Sequence, residues 1–301
     1  MRVAVTGATG FVGRPLTRLL AARGHEVHAL VRPAPALVER GIAIRHVDLF
    51  DAASARTALA AVRPEVVIHL GWLGVSGHSE TDASTLSGVA AGLHVLRACH
   101  DAGCARVVCA ASGAAYAWHA PAQDRARTEG TLYPASRNAL QQLAHAYLDD
   151  SPTRLAWART FFPYGPGEPA ETYVGAAARV LATGGTFTVR EPRRHLDFVY
   201  VDDVAGALAT LAEAPAAVGS YDVGTGEAMP LLEVAHTVAR AAGAVPTRVI
   251  EAPADAPADD VRADAAPLRA LGWLPEISLH EGATRMLAAL GPAGRSGPAI
   301  A

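Results

Sequence analysis

Tyr133 and Arg137 stand four residues apart, a spacing that puts both side chains on one face of a helix. A phenol can give and take a proton, but its free pKa of about 10 is high for work near neutrality. A cation held beside it stabilises the phenolate and lowers that value. Ser112 follows the apolar run Arg106–Ala111, where its hydroxyl could hydrogen-bond a substrate oxygen. Out of context such a tyrosine is more often a packing residue, and such a serine a turn cap. A second chemical signal lies at the start of the chain. The valine-rich run Met1–Val5 leads directly into Thr6-Gly7-Ala8-Thr9-Gly10-Phe11-Val12-Gly13, and a helix-like stretch follows from Pro15 to Ala22. In a strand–turn–helix of this kind Gly7 permits the tight turn and Gly10 lets backbone N–H groups approach a pyrophosphate. Gly13 lets the helix pack close to the strand. The helix N-terminus then meets the phosphates with its partial positive charge.

The elements that must position these groups follow from the alternation of apolar runs with helical stretches. Strands are expected at 3–6, 27–31, 43–47, 66–70, 106–111 and 154–159, with helices to 23, over 52–62, 81–102 and 132–149. That alternation predicts an α/β fold: a Rossmann-type, doubly wound parallel sheet. After Phe161 the texture changes at the turn-rich Pro163-Tyr-Gly-Pro-Gly-Glu-Pro169. The expected organisation is a dinucleotide-binding domain over 1–160 plus part of 190–225. A smaller substrate-binding lobe over 161–290 is interleaved with it, and a disordered small-residue tail covers 291–301.

Length and composition bound the rest. The chain has 301 residues, half of them hydrophobic and 18% charged, with a net charge of −3. That balance is globular and carries no basic surface for nucleic acid. No apolar run reaches the roughly 18 residues of a membrane span, and the chain opens on a strand without a leader pattern. Cys99, Cys104 and Cys109 read as small core hydrophobes in a reducing cytoplasm. The twelve histidines show no metal-ligand spacing, so no metal site is expected. His69 reads as a packing residue, and His25, His28 and His46 as exposed.

Six segments in order carry a family resemblance: Thr6–Gly13, Val67-Ile-His-Leu-Gly71, Ala111-Ser-Gly-Ala-Ala-Tyr116, Tyr133-Pro-Ala-Ser-Arg137, Arg159-Thr-Phe-Phe-Pro-Tyr-Gly-Pro166 and Asp197-Phe-Val-Tyr-Val-Asp-Asp203. Together with Leu271-Gly-Trp273 they make the chain resemble, to about Leu290, the extended short-chain dehydrogenase/reductases. These are NAD(P)-dependent nucleotide-sugar epimerases, dehydratases and reductases. Trp157–Pro166 is most similar to reductases and epimerases of 4-keto-6-deoxy nucleotide sugars. The resemblance implies Tyr133 as acid/base, Ser112 as the orienting hydroxyl and Arg137 as the cation. It implies a dinucleotide on Gly7, Thr9, Gly10, Phe11, Val12, Gly13, Asp48, Leu49, Leu70, Gly71, Tyr133 and Arg137, a nucleotide-sugar substrate near Trp72, Ser112, Phe162, Arg194 and Arg262, and a homodimer joined through the two long helices.

The second strand ends Leu30-Val31-Arg32, without the carboxylate that holds an adenosine ribose in the NAD pattern. A guanidinium suits a 2′-phosphate, so NADP(H) is expected over NAD(H), with Arg14 as a second contact. Both arginines could equally be solvated surface residues, and Asp48 a loop cap. Four positions depart from the family. Arg137 replaces its lysine, Gly88 an asparagine, Leu196 an arginine and Phe162 another asparagine. Gly113-Ala114 replaces the Asp-Glu pair of dehydratases. The expected reaction is NADPH-dependent reduction of a keto sugar, with epimerisation on a tightly bound cofactor or a non-redox role as alternatives.

Overall fold

The computed structural model describes residues 1–32, 41–72, 83–113, 132–253 and 260–290. The chain begins β1 (Arg2–Thr6), α1 (Gly13–Ala22), β2 (Glu26–Val31), β3 (Ile42–His46), α2 (Ala52–Val62), β4 (Val66–His69), α3 (Ser84–Asp101), β5 (Arg106–Ser112), α4 (Leu132–Leu148) and β6 (Arg154–Thr160). It continues β7 (Phe162–Tyr164), α5 (Tyr173–Ala182), β8 (Phe187–Val189), β9 (His195–Leu196), β10 (Phe198–Tyr200), α6 (Val201–Glu213) and β11 (Gly219–Val223). It closes β12 (Met229–Pro230), α7 (Leu231–Ala241), β13 (Val249–Glu251), β14 (Asp260–Val261), α8 (Ala266–Arg269) and α9 (Leu279–Ala289).

Seven strands form one sheet in the order β11-β6-β5-β4-β1-β2-β3, and every neighbouring pair is parallel. Val3-Ala4-Val5 and Val66-Val67-Ile68-His69 are wholly buried. Continuous burial along a strand is what a sheet covered on both faces requires. The order reverses between β1 and β4, and ligands of open parallel sheets bind beyond the carboxyl ends of the strands at such a switch point.

The chain divides into two compact units. The first comprises Met1–Thr160, Ala205–Val223 and Ala266–Trp273. The expected interleaving gave part of 190–225 to the first domain but did not include Ala266–Trp273. Trp273 is buried, and its indole lies 3.4 Å from the place a Cβ on Gly206 would take. Arg106, at the start of β5, is buried, and its guanidinium donates to the carbonyls of Leu211, Pro215 and Ala217 at 3.4, 3.0 and 2.8 Å. It thereby satisfies acceptors at and just beyond the C-terminal end of α6 that the helix cannot satisfy itself.

The second unit comprises Phe161–Val204, Gly224–Ala265 and the residues from Leu274 on. Its strands are two or three residues long and pair as β10-β7, β12-β9-β14 and β13-β8. Such short ladders contribute little alone, and Asp197 ties three loops together. Its fully buried carboxylate accepts from the N–H of Thr225 (2.8 Å), Gly226 (2.8 Å) and Ala263 (3.1 Å) and from the Thr225 hydroxyl (2.6 Å).

Two side-chain expectations resolve differently. The three cysteines are buried free thiols. His28, read as exposed, is buried because β2 is an inner strand, and its Nε2 lies 2.9 Å from Glu26. The expected tail at 291–301 lies outside the described residues. Among the described residues no helix is long and apolar enough to cross a membrane.

Candidate active site

A cavity of ≈ 260 Å³ opens beyond the carboxyl ends of the first four strands. Gly7, Thr9 and Gly10 line it from the turn after β1, and Val31 and Arg32 from the end of β2. Leu49 and Phe50 line it after β3, and Leu70, Gly71 and Trp72 after β4. Gly88 and Ala91 of α3 complete the wall.

The glycine turn is built by close approach. Gly7 has φ +66°, and a Cβ there would lie 2.9 Å from the Leu70 carbonyl carbon. A Cβ on Gly10 would lie 3.2 Å from the Gly7 oxygen. One on Gly13 would overlap that oxygen and stand 2.7 Å from the Ala8 Cα, so Gly13 serves helix–strand packing. Phe11 and Val12 lie in the same turn, half-buried, outside the cavity lining. No side chain caps the start of α1, and its first turn holds no acid. The N-terminal dipole is therefore free for an anion.

A hydrogen-bonded chain braces the turn from below. Thr6 Oγ accepts from the Gly71 N–H at 3.0 Å and lies 2.8 Å from His69 Nδ1. Burial, followed by the nearby Arg137 charge, pushes His69 down to about 3, so it is neutral at any ordinary pH.

Tyr133 and Arg137 both fall on α4, as their spacing requires. Arg137 is 6% exposed and its guanidinium donates to the Ala110 carbonyl of β5. Its guanidinium carbon stands 4.1 Å from the centroid of the Trp72 ring. Trp72 meets Tyr133 edge-on, with centroids 6.3 Å apart and planes at 83°. Burial lowers the Arg137 pKa, against the raising fields of Tyr133 and Cys109, and a guanidinium keeps its proton through such a shift. Ser112 ends β5 in register with Thr160.

The other expected residues distribute as follows. Asp48 accepts the Phe50 N–H at 2.9 Å, and Leu49 and Phe50 line the cavity while Asp48 does not. Arg32 lines the cavity, whereas Arg14 donates to the Thr9 carbonyl at 2.9 Å. In the second unit Phe162 packs on Phe198 at 5.7 Å, Arg194 pairs with Glu191 at 3.0 Å, and Arg262 pairs with Asp260. Phe50 and Ala91 were not singled out from sequence, and Thr6 was read only as the head of the glycine motif. Only Phe50 had a signal, its place directly after Asp48-Leu49. Among the described residues no cluster of three or more His, Cys, Asp or Glu could hold a metal.

The cavity fits a dinucleotide. Its turn cannot tolerate side chains at Gly7 or Gly13. Trp72, in the cavity wall, keeps Nε1 buried without a partner among the described residues, and a buried polar atom of that kind calls for a polar ligand or water.

Known proteins agree with this geometry. The dTDP-L-rhamnose 4-epimerase of Burkholderia thailandensis is 29% identical over 340 aligned positions, covering 93% of this chain and 92% of its own. The 3-diazoavenalumate denitrifying reductase of a Streptomyces species is 32% identical, covering 84% and 85%. The structure of UDP-glucose 4-epimerase from Thermus thermophilus, a complex with NAD, superposes with a TM-score of 0.82 at 28% identity, covering 97% of this chain and 100% of that one. A family model spans residues 3–224, and with the parallel sheet, the glycine turn and the cavity above it, this chain belongs to the NAD-dependent epimerase/dehydratase family.

Proposed function

We propose that this chain epimerises a ring carbon of a nucleotide sugar with a nicotinamide dinucleotide held on the glycine turn. The observation that carries the reading is the buried Arg137 cation, on the same helix as Tyr133 and linked to it through Trp72 at the cavity wall. Gly7, Thr9, Gly10 and the free end of α1 would hold the pyrophosphate, and Leu49 with Phe50 would seat the adenine. When bound, the dinucleotide supplies a hydride acceptor for the sugar alcohol and a donor for the sugar ketone. Tyr133 takes the hydroxyl proton as the carbonyl forms and gives one back when the alcohol is restored. Arg137 favours its phenolate, and Ser112 orients the sugar oxygen.

A second reading, NADPH-dependent reduction of a 4-keto-6-deoxy nucleotide sugar, is favoured by Arg32 at the cavity with no carboxylate ending β2. A homodimer is part of either reading. Leu86 of α3 and Leu143 and Tyr147 of α4 are 56%, 49% and 46% exposed, apolar side chains that the helices of a second copy would cover.

One preparation separates these readings. The nucleotide released on denaturation is identified by mass, and UDP- and dTDP-sugars are then supplied while products and reduced nicotinamide are followed. A new epimer without net change in reduced nicotinamide supports epimerisation. NADPH consumed one-for-one with a 4-keto sugar supports reduction. Tyr133→Phe should slow whichever reaction occurs by about 100-fold or more. A loss under about threefold removes the acid/base role. A monomer by light scattering removes the dimer.

A further inference from the structure

Trp72 was expected to meet substrate, and its half-buried indole also packs against protein. A Cβ added at Gly88 would lie 3.1, 3.2 and 3.3 Å from Cε2, Cζ2 and Cδ2 of the indole. Those three atoms belong to one ring system, so the indole lies flush against α3 where position 88 has no side chain. The Arg137 guanidinium sits 4.1 Å from the Trp72 ring centroid, and the Tyr133 ring meets the indole edge-on. A long, rotatable cation is thereby held at two points: the indole and the Ala110 carbonyl.

We propose that Trp72 is a positioning residue that fixes the Arg137 guanidinium beside Tyr133, and that Gly88 is bare because the indole must lie there. The departures at positions 88 and 137 are then a single change in design, joined through residue 72. This rests on Tyr133 being the acid/base, but it makes its own physical claim: without the indole face, the guanidinium loses one of the two points that hold it. Among the described residues, the remaining titratable groups whose fields reach Arg137 are His69 of β4 and Cys109 of β5. Burial holds both neutral, the first pushed down to about 3 and the second up to about 12. Neither can stand in for the guanidinium.

The test reads the Tyr133 phenol directly. Tyrosinate absorbance is titrated in the full-length protein, and the curve of Tyr133→Phe is subtracted to isolate this residue. Trp72→Leu should move its midpoint to higher pH, because a guanidinium no longer held over the indole is free to turn away from the phenolate. Trp72→Phe, which keeps an aromatic face, should restore most of the difference. Gly88→Ala, which pushes on the indole, should shift the midpoint in the same direction by less. Far-ultraviolet dichroism checks the fold of each variant. If Trp72→Leu does not fold, Gly88→Ala and Trp72→Phe decide. A midpoint unmoved in every folded variant overturns the proposal. Activity is measured separately. A Tyr133→Phe protein within about threefold of the parent rate refutes the acid/base reading, while the titration still judges the role of Trp72.

Discussion

Glu168 offers a sharp test of the second unit. It lies just after β7, only 3% exposed, and neither carboxyl oxygen has a hydrogen-bond partner among the described residues. The nearby Thr172 hydroxyl donates instead to the Pro169 carbonyl at 2.8 Å. The Thr172 hydroxyl, and after it the Arg179 guanidinium of α5, which reaches the Glu168 backbone oxygen at 3.3 Å, pull the Glu168 pKa down and offset only part of the burial cost. Burial accordingly pushes the Glu168 carboxyl from 4.5 up to about 7. At about 1.4 kcal/mol per pH unit, that rise corresponds to about 3 kcal/mol. Below pH 4.5 the group is protonated in both folded and unfolded chains and costs nothing extra. As pH rises from 4.5 to 7 the unfolded chain loses the proton while the folded chain keeps it, and stability falls. Above 7 the full cost is in place. Glu168→Gln removes the titration. In urea melts its stability relative to the parent should therefore climb by about 3 kcal/mol between pH 4.5 and 8. A constant difference across that range would show that Glu168 is solvated or paired, and the reasoning would fail.

Gly13→Ala would drive a methyl into the Gly7 carbonyl and the Ala8 backbone, neither of which can rotate away. Overpacking of this kind costs about 1–3 kcal/mol, and dinucleotide affinity measured by nicotinamide fluorescence should fall at least about tenfold; unchanged affinity would take the turn out of the cofactor site. Asp197→Ala would leave the Thr225, Gly226 and Ala263 N–H groups without their acceptor, at a cost of about 3–5 kcal/mol. Asp197→Asn, which keeps one acceptor oxygen, should cost less. An alanine variant within about 1 kcal/mol of the parent in urea would show that these loops are held by something else.

Six of the seven strands were legible because the inner ones are buried on both faces and read as apolar runs, while the seventh, Gly219–Val223, was missed. Val66–His69 differs from its expected span by one residue, and Arg106–Ser112 gains only its terminal serine. The ladders of the second unit were not legible. Met229-Pro230 pairs antiparallel with His195-Leu196, and two residues carry no periodicity of their own. The return of Ala266–Trp273 to the first unit escaped for a related reason. It depends on an indole finding a bare glycine about 70 positions earlier. The glycine turn and the Tyr133–Arg137 spacing could be read because their geometry is local. Trp72 could not, because its neighbours on α3 and α4 are distant in sequence. Gly88 looked like a lost amide; against the indole it is the room that a ring needs.

The three carbonyls held by Arg106 bear on how this protein can be cut. A fragment ending at Thr160 would keep the glycine turn and the cavity residues, yet it would strip β6 of its β11 neighbour and expose a ragged hydrogen-bonding margin. It would also strand a guanidinium in a pocket emptied of Leu211, Pro215 and Ala217. The nucleotide-binding half is contiguous in space but not along the chain, and any excised version would have to splice in the stretch from Ala205 to Val223.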